Sequence, residues 1–466
     1  MTSNITILFR DVIRRFPAVV ISGMALRIIL SVMFLVISSA ADAVGGTDEQ
    51  KDLAENAMVE FAGEAVLGSD PSLEDYLVYA SQKNPGLRAA YHGWTSRLER
   101  VPSVSSLPEP VFSYMYYVES VETRVGPQRQ KFSLRQAFPW FGTLGARESV
   151  AEQEAWAAYR RFQDEKLKLA YRVRKAYSEY YLLGRRIEIA QSTLELLRGW
   201  ESISHTRFET GQSGRSDLVR IEIEIARLTD ALRTLEDSKS SAAEDMRNAL
   251  GVPDGTGIPF PGDMPDPAII EPDTVRAAVL SGNPSILAID HMILREENAL
   301  RLAGKSSWPD FSLGLDYIDT GPALEPDMPD SGKDPWMVSL SVKLPIWFGK
   351  NSALKEEARA RIEMNRYEKK DAEGELRARV EKVLVDYRDA ASKTELFAGS
   401  LIPKAEESLA ITLTEYEGGD ADFLHVLDAQ RLLLDLRLEM EEALVKQEIR
   451  AAELEMLAGR KFRPVD

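Results

Sequence analysis

The chain contains no cysteine. Disulfides, thiolate metal sites and an acylated N-terminal cysteine are therefore excluded, and the absence fits an oxidising envelope compartment. Histidine is scarce too. His92, His205, His291 and His425 show neither the H-E-x-x-H nor the H-x-x-x-H spacing that sets two ligands on one helical face. No glycine-rich phosphate loop follows a strand and no serine sits in a nucleophile elbow, so neither enzyme chemistry nor a cofactor is expected. Basic charge is in deficit, and a formal net charge of −17 suits cationic partners, not nucleic acid phosphates. Long apolar runs are confined to the N-terminus. Arg10, Arg14 and Arg15 precede an apolar stretch from Ile28 to Ile37, then small residues to Ala43, the order of a secretory signal over residues 1–43. A membrane anchor over Phe16 to Ile37 is the alternative, interrupted by Arg27. No run of about 18 apolar residues appears beyond Ala43.

What the chain does have is helix. Gly142 to Phe208 lacks proline, and as one helix it would span on the order of 90–100 Å, far beyond a globular helix of about three turns. A turn at Gly211-Gln212-Ser213-Gly214 follows. Leu218, Ile221, Ile225, Leu228, Leu232 and Leu235 then alternate spacings of three and four, a coiled-coil seam. Upstream, residues 44–71 read as an acidic, loose leader. Ser72 with Asp75 starts a helix by a capping-box variant, and Asn84-Pro85 interrupts it before helix resumes to about Arg100. Pro102 to Pro110 breaks the chain. Val111 to Tyr117 and Lys131 to Phe138 alternate as two strands, with a turn over residues 119–127.

The second half repeats the first. Asn283-Pro284 answers Asn84-Pro85, a displacement of 199 (283 − 84). Trp347-Phe348-Gly349 answers Trp140-Phe141-Gly142. Val426, Ala429, Leu433, Leu436, Met440 and Ala443 repeat the first seam at a displacement of 208 (426 − 218). The division is residues 72–271 and 272–460, two copies of a strand-strand-helix-turn-helix unit, with a tail over 461–466. Pro403 interrupts the second long helix where the first has Glu195, and a break near Ile402 is expected there alone. Trp336, Val338, Leu340, Val342 and Leu344 share one strand face; Met337, Ser339, Ser341 and Lys343 share the other. Four strands cannot close a membrane barrel of at least about eight, whereas three chains supply twelve. An ordinary half-buried sheet is the alternative. Leu427, Leu434 and Leu438 add a second apolar face beside the Val426 seam, as a helical ring or a large bundle requires. Carboxylates on the long helices, Glu222 and Glu224 among them, read as a solvated face.

Phe138-Pro139-Trp140-Phe141-Gly142, Leu344-Pro345-Ile346-Trp347-Phe348-Gly349 and the two glycine turns, followed by Asp217-Leu218-Val219 and His425-Val426-Leu427-Asp428-Ala429-Gln430, together resemble the TolC family of outer-membrane efflux ducts. The resemblance covers about Ser72 to Arg460. It implies a mostly α fold with a transmembrane β-barrel: a homotrimer with a twelve-stranded barrel in outer-membrane lipid and a twelve-helix tube in the periplasm. It also implies a passive exit duct that works with an inner-membrane pump and a periplasmic adaptor (membrane fusion) protein. Junctions of the Pro-Trp-Phe-Gly type are similar to those of members paired with heavy-metal pumps. The family's entrance acids map to His425 and Asp428 and its tip aspartate to Asp217, whereas its basic latch partner falls on Ala421. Contacts of Arg215, Asp420 or Asp422 would hold the gate instead, or it would be held less tightly. Gly211, Gly214, Gly419 and Asp420 are the expected adaptor-docking tips, and Trp140, Phe141, Trp347 and Phe348 the membrane-interface aromatics. A soluble periplasmic coiled-coil adaptor or scaffold is the rival reading.

Overall fold

The computed structural model describes residues 48–68, 71–211, 214–253, 257–265, 268–325, 327–418 and 420–462. The expected signal segment, Gly419 and residues 463–466 of the tail lie outside them. In chain order the elements are α1 (Asp48–Phe61), α2 (Leu73–Lys83), α3 (Pro85–Ser105), β1 (Val111–Thr123), β2 (Gly126–Phe138), α4 (Thr143–Glu209) and α5 (Arg215–Leu250). The second half follows as α6 (Pro272–Gly282), α7 (Pro284–Lys305), β3 (Asp310–Thr320), β4 (Trp336–Lys343), α8 (Phe348–Leu396), a π-helical turn (Phe397–Leu401), α9 (Ile402–Gly418) and α10 (Phe423–Ala458). Of the described residues, one compact unit holds Arg100–Ala151 and Glu297–Arg359; the other holds residues 48–99, Glu152–Glu296 and residues 360–462.

The duplication is visible in the hydrogen bonds. Asn84 and Asn283 each cap a helix C-terminus in extended conformation, just before the proline that opens the next helix. Asn84 Nδ2 donates to the Ala249 carbonyl at 3.1 Å, and Asn283 Nδ2 to the Leu457 carbonyl at 3.0 Å. The receiving helices α5 and α10 end in Gly251 and Gly459, both at φ 73°, the left-handed cap glycine favours. A Cβ on Gly251 would lie 2.7 Å from the Pro85 ring, so the close approach also demands glycine. Ser72 and Asp75 form the reciprocal capping box of α2.

Several boundaries differ from the sequence reading. The leader is not loose over its whole length: α1 lays Gln50, Ala54 and Phe61 onto an aromatic cluster of Tyr91, Trp94 and Phe162. Tyr91 Oη donates to the Ala54 carbonyl at 3.1 Å. The apolar spacing of this helix is hidden among acids, which is why composition suggested a solvated segment. Helix α3 carries Pro102 within its last turn and ends at Ser105. Strand β1 continues to Thr123, so the hairpin turns at Arg124-Val125, later than the charge residues suggested. The α8 helix begins at Phe348, three residues before Asn351. The break at Pro403 is present: the π-helical turn ends immediately before Ile402, whose N–H donates to the Phe397 carbonyl, while α4 runs 67 residues without interruption. One window within Pro272–Lys305 is long and apolar enough to cross a membrane by composition, against the sequence expectation. Asn283 splits it into two helices, and Val275 and Val279 lie in the core of the second repeat.

Candidate functional site

The sheet has the order β1-β2-β3-β4, antiparallel throughout. Its register decides which side chains share a face, since residues alternate sides along each strand. Tyr114 lies opposite Phe132, Phe132 opposite Tyr317, and Tyr317 opposite Trp336. Their rings form an unbroken row across all four strands, with centroids 5.2, 6.1 and 4.9 Å apart. Phe112, Leu134, Leu315 and Val338 make the adjacent row on the same face. Much of this apolar face is open: Val338 is 81% exposed and Leu340 65%. The opposite face is polar or small, with Ser113, Ser133, Asp316 and Met337 in register. There Ser133 Oγ donates to Asp316, and Lys131 Nζ sits 3.1 Å from the same carboxylate. Among the described residues, strands β1 and β4 each pair on one side only.

The four junction aromatics separate into two groups. Trp140 stacks on Trp308 at 4.8 Å and lies 5.8 Å from Phe311, while its backbone N–H donates to Asp310 Oδ1. Trp308 was not singled out in the sequence; its place two residues before the Asp310 strand start was the available signal. Phe141, Trp347 and Phe348 are exposed.

In the other unit, α4-α5 and α9-α10 form two helical hairpins. Gly211 terminates α4 at φ 76°, with its N–H on the Phe208 carbonyl at 3.0 Å. Gly214 precedes α5 at φ −84°, a conformation open to any residue. Asp420 N–H donates to the Glu415 carbonyl at 2.9 Å. His425 and Asp428 are both exposed on the first turns of α10. Asp428 Oδ1 lies 3.3 Å from Arg431 Nη1, and the same guanidinium ion-pairs with Glu224 of α5. Glu224 is therefore not part of a solvated face: it is largely covered and held across the two hairpins. A second crossing comes from α4, where Arg207 Nη1 donates to the Tyr416 carbonyl at 3.2 Å and the guanidinium stands 4.5 Å over the Tyr416 ring. Neither Arg207 nor Arg431 was anticipated, although Arg431 follows Asp428 by three residues and so shares its helical face. Asp217 is buried at the start of α5. Burial, followed by the Asp422 carboxylate, holds its pKa above the ordinary aspartate range, against the Ser216 hydroxyl, Arg220 and Arg207. Among the described residues no cluster of three metal-ligating side chains occurs.

The fold so built, mostly helical with duplicated strand-strand-helix units and four antiparallel strands, is the TolC-like fold of outer-membrane channels. It superposes on the outer-membrane channel OprN with a TM-score of 0.68 at 17% identity, covering 87% of this chain and 92% of that one. The open state of the Neisseria gonorrhoeae MtrE outer-membrane channel gives 0.68 at 18% identity, over 84% and 90%. Residues 275–460, most of the second repeat, match the family model described as outer membrane efflux protein. Among curated proteins the chain is similar to nodulation protein T of Rhizobium leguminosarum bv. trifolii, 20% identical over 409 residues, which cover 85% of this chain and 87% of that protein.

Proposed function

We propose that the chain is one protomer of a passive exit duct that crosses the outer membrane and extends into the periplasm, carrying small molecules or metal ions handed over by an inner-membrane pump through a periplasmic adaptor. The observation that carries this reading is the sheet. Four strands with one open aromatic and aliphatic face, one polar face and two unpaired edges are a third of a closed barrel, with lipid outside and water inside. Edge-to-edge pairing of β1 with β4 of a neighbour in a homotrimer satisfies every edge and gives twelve strands. A soluble adaptor or scaffold would leave Phe112, Tyr114, Trp336, Val338 and Leu340 in water. On this reading residues 1–43 are the removed signal, and Phe141, Trp347 and Phe348 lie at the membrane interface, whereas Trp140 is committed to Trp308. The hairpin ends, with Gly211, Gly214, Gly419 and Asp420, meet the adaptor, and Asp428, His425 and Asp217 belong to the entrance. The pair Arg431–Glu224 and the contact Arg207–Tyr416 replace the basic latch missing at Ala421. The Pro-Trp-Phe-Gly junctions favour metal ions as cargo. The test is fractionation with electrophoresis: a heat-modifiable trimer in the outer membrane is expected, and a soluble periplasmic monomer would refute the assignment.

A further inference from the structure

Three helices leave a gap where the two hairpins of one chain meet. The cavity, about 180 Å³, is an open-sided cleft lined by α4, α5 and α10, with the exposed Ala231 among its lining residues. Its walls are chiefly aliphatic: Leu197 from α4, Leu228 from α5, Leu427 and Leu434 from α10. Three charged wall residues, Glu224, Arg227 and Arg431, are already paired, both arginines with the Glu224 carboxylate. Gln430 is different. Its side chain lines the cavity and is only 6% exposed, and its Oε1 is buried with no protein donor. Buried polar atoms are nearly always satisfied, so an unpaired acceptor on an apolar wall calls for a partner.

The chemistry of that partner follows from what the walls leave open. A charged ligand would have to displace Glu224 from Arg227 and Arg431, or one of the arginines from Glu224, or remain unpaired against the aliphatic wall, each of which is costly. One free acceptor calls for one donor. An aliphatic cavity of about 150 Å³ is already large enough for a benzene ring. We propose that this cavity is a binding site for a small uncharged aromatic molecule with a single hydrogen-bond donor, of the phenol or indole class. Its O–H or N–H donates to Gln430 Oε1 and its ring packs on Leu197, Leu228, Leu427 and Leu434. The occupant touches both repeats at once, so it ties α5 to α10.

The test needs no channel activity. Full-length protein in detergent is titrated with 4-fluorophenol and followed by fluorine NMR, with phenol and toluene as competitors. Saturable binding is expected, displaced by phenol more effectively than by toluene. Gln430→Leu should weaken phenol roughly two- to tenfold, the loss of one neutral hydrogen bond, and leave toluene unchanged. Leu228→Trp, which fills the cavity, should abolish both. Comparison with each variant in the same detergent cancels partition into micelles. Toluene competing as well as phenol, an unchanged affinity in Gln430→Leu, or binding that survives Leu228→Trp would each overturn the proposal. If Gln430→Leu does not fold, Gln430→Met serves as the acceptor-free variant, with the same two outcomes.

Discussion

Glu441, Glu448 and Glu455 stand seven residues apart on α10, and each is at least nine-tenths buried. Every one is met by an arginine of α4: Arg185 Nε at 3.0 Å from Glu441, and Arg174 between Glu448 and Glu455. Tyr181 lies against Glu441, and its phenol is pushed up to about 12 by burial and then by that carboxylate. Removing one partner of a buried pair costs about 3–5 kcal/mol, because the other charge is stranded. Arg174→Met takes the arginine away from two buried carboxylates and should lower the thermal unfolding midpoint more than Arg186→Met, whose bridge to Glu442 is exposed. Equal midpoints would mean water reaches the Glu448 site. Asp217 predicts the opposite sign. Its folded-state pKa is raised, so its protonated form is favoured by the fold, and stability is lost as pH rises through that value. Asp217→Asn should therefore stabilise the hairpin ends at pH 7, with the gain disappearing as pH falls below the ordinary aspartate range near 3.8. Thermal unfolding of both proteins across that interval reads the difference.

At the scale of elements, the two repeats differ most where α1 lies. Tyr91 and Phe162, which receive Phe61, correspond by repeat displacement to Asp290 and Lys369 (290 − 91 and 369 − 162), and those two form an ion pair at 2.6 Å. The first repeat presents an aromatic surface that must be covered; the second closes the same place with charge. Phe61→Ala should destabilise the protein by about 3 kcal/mol, at the lower end of buried Phe losses, whereas Lys369→Ala should cost only about 1 kcal/mol, as for a partly exposed pair. Chemical denaturation distinguishes the two. The π-helical turn has a local cause. Proline at 403 offers no N–H and clashes with the preceding turn, so the ladder slips by one residue at Phe397–Leu401. Pro403→Glu, the residue type at the matching position of α4, should restore a continuous α-helix, seen as slower amide exchange over residues 397–403. The break was legible because proline acts locally. The α1 contact was not, because nothing in residues 48–61 says that Tyr91 and Phe162 will be there to receive them.

For the whole molecule, the prediction concerns conduction by the proposed trimer. Three copies of Asp428 around one axis would attract multivalent cations, each balanced in part by Arg431 at 3.3 Å. Trivalent cations added from the entrance side should block current in a planar bilayer, and Asp428→Ala should relieve the block. Block that persists undiminished would place the acidic ring elsewhere, with Asp422 next to test. Features that depend on neighbours along the chain were legible in residue order: the duplicated unit, the Asn-Pro interruptions, the Ser72 cap, the strand alternation and the broken helix at Pro403. Each follows from a residue acting on its own backbone or from a period in one segment. Which charges are buried depends on packing between distant helices. Arg174 meets Glu448 across 274 positions, and Arg431 meets Glu224 across 207. A helix carrying charge on several faces reads as solvated until another helix is laid against it. Its period records how side chains are arranged around the axis, and what covers each face is set by segments hundreds of residues away.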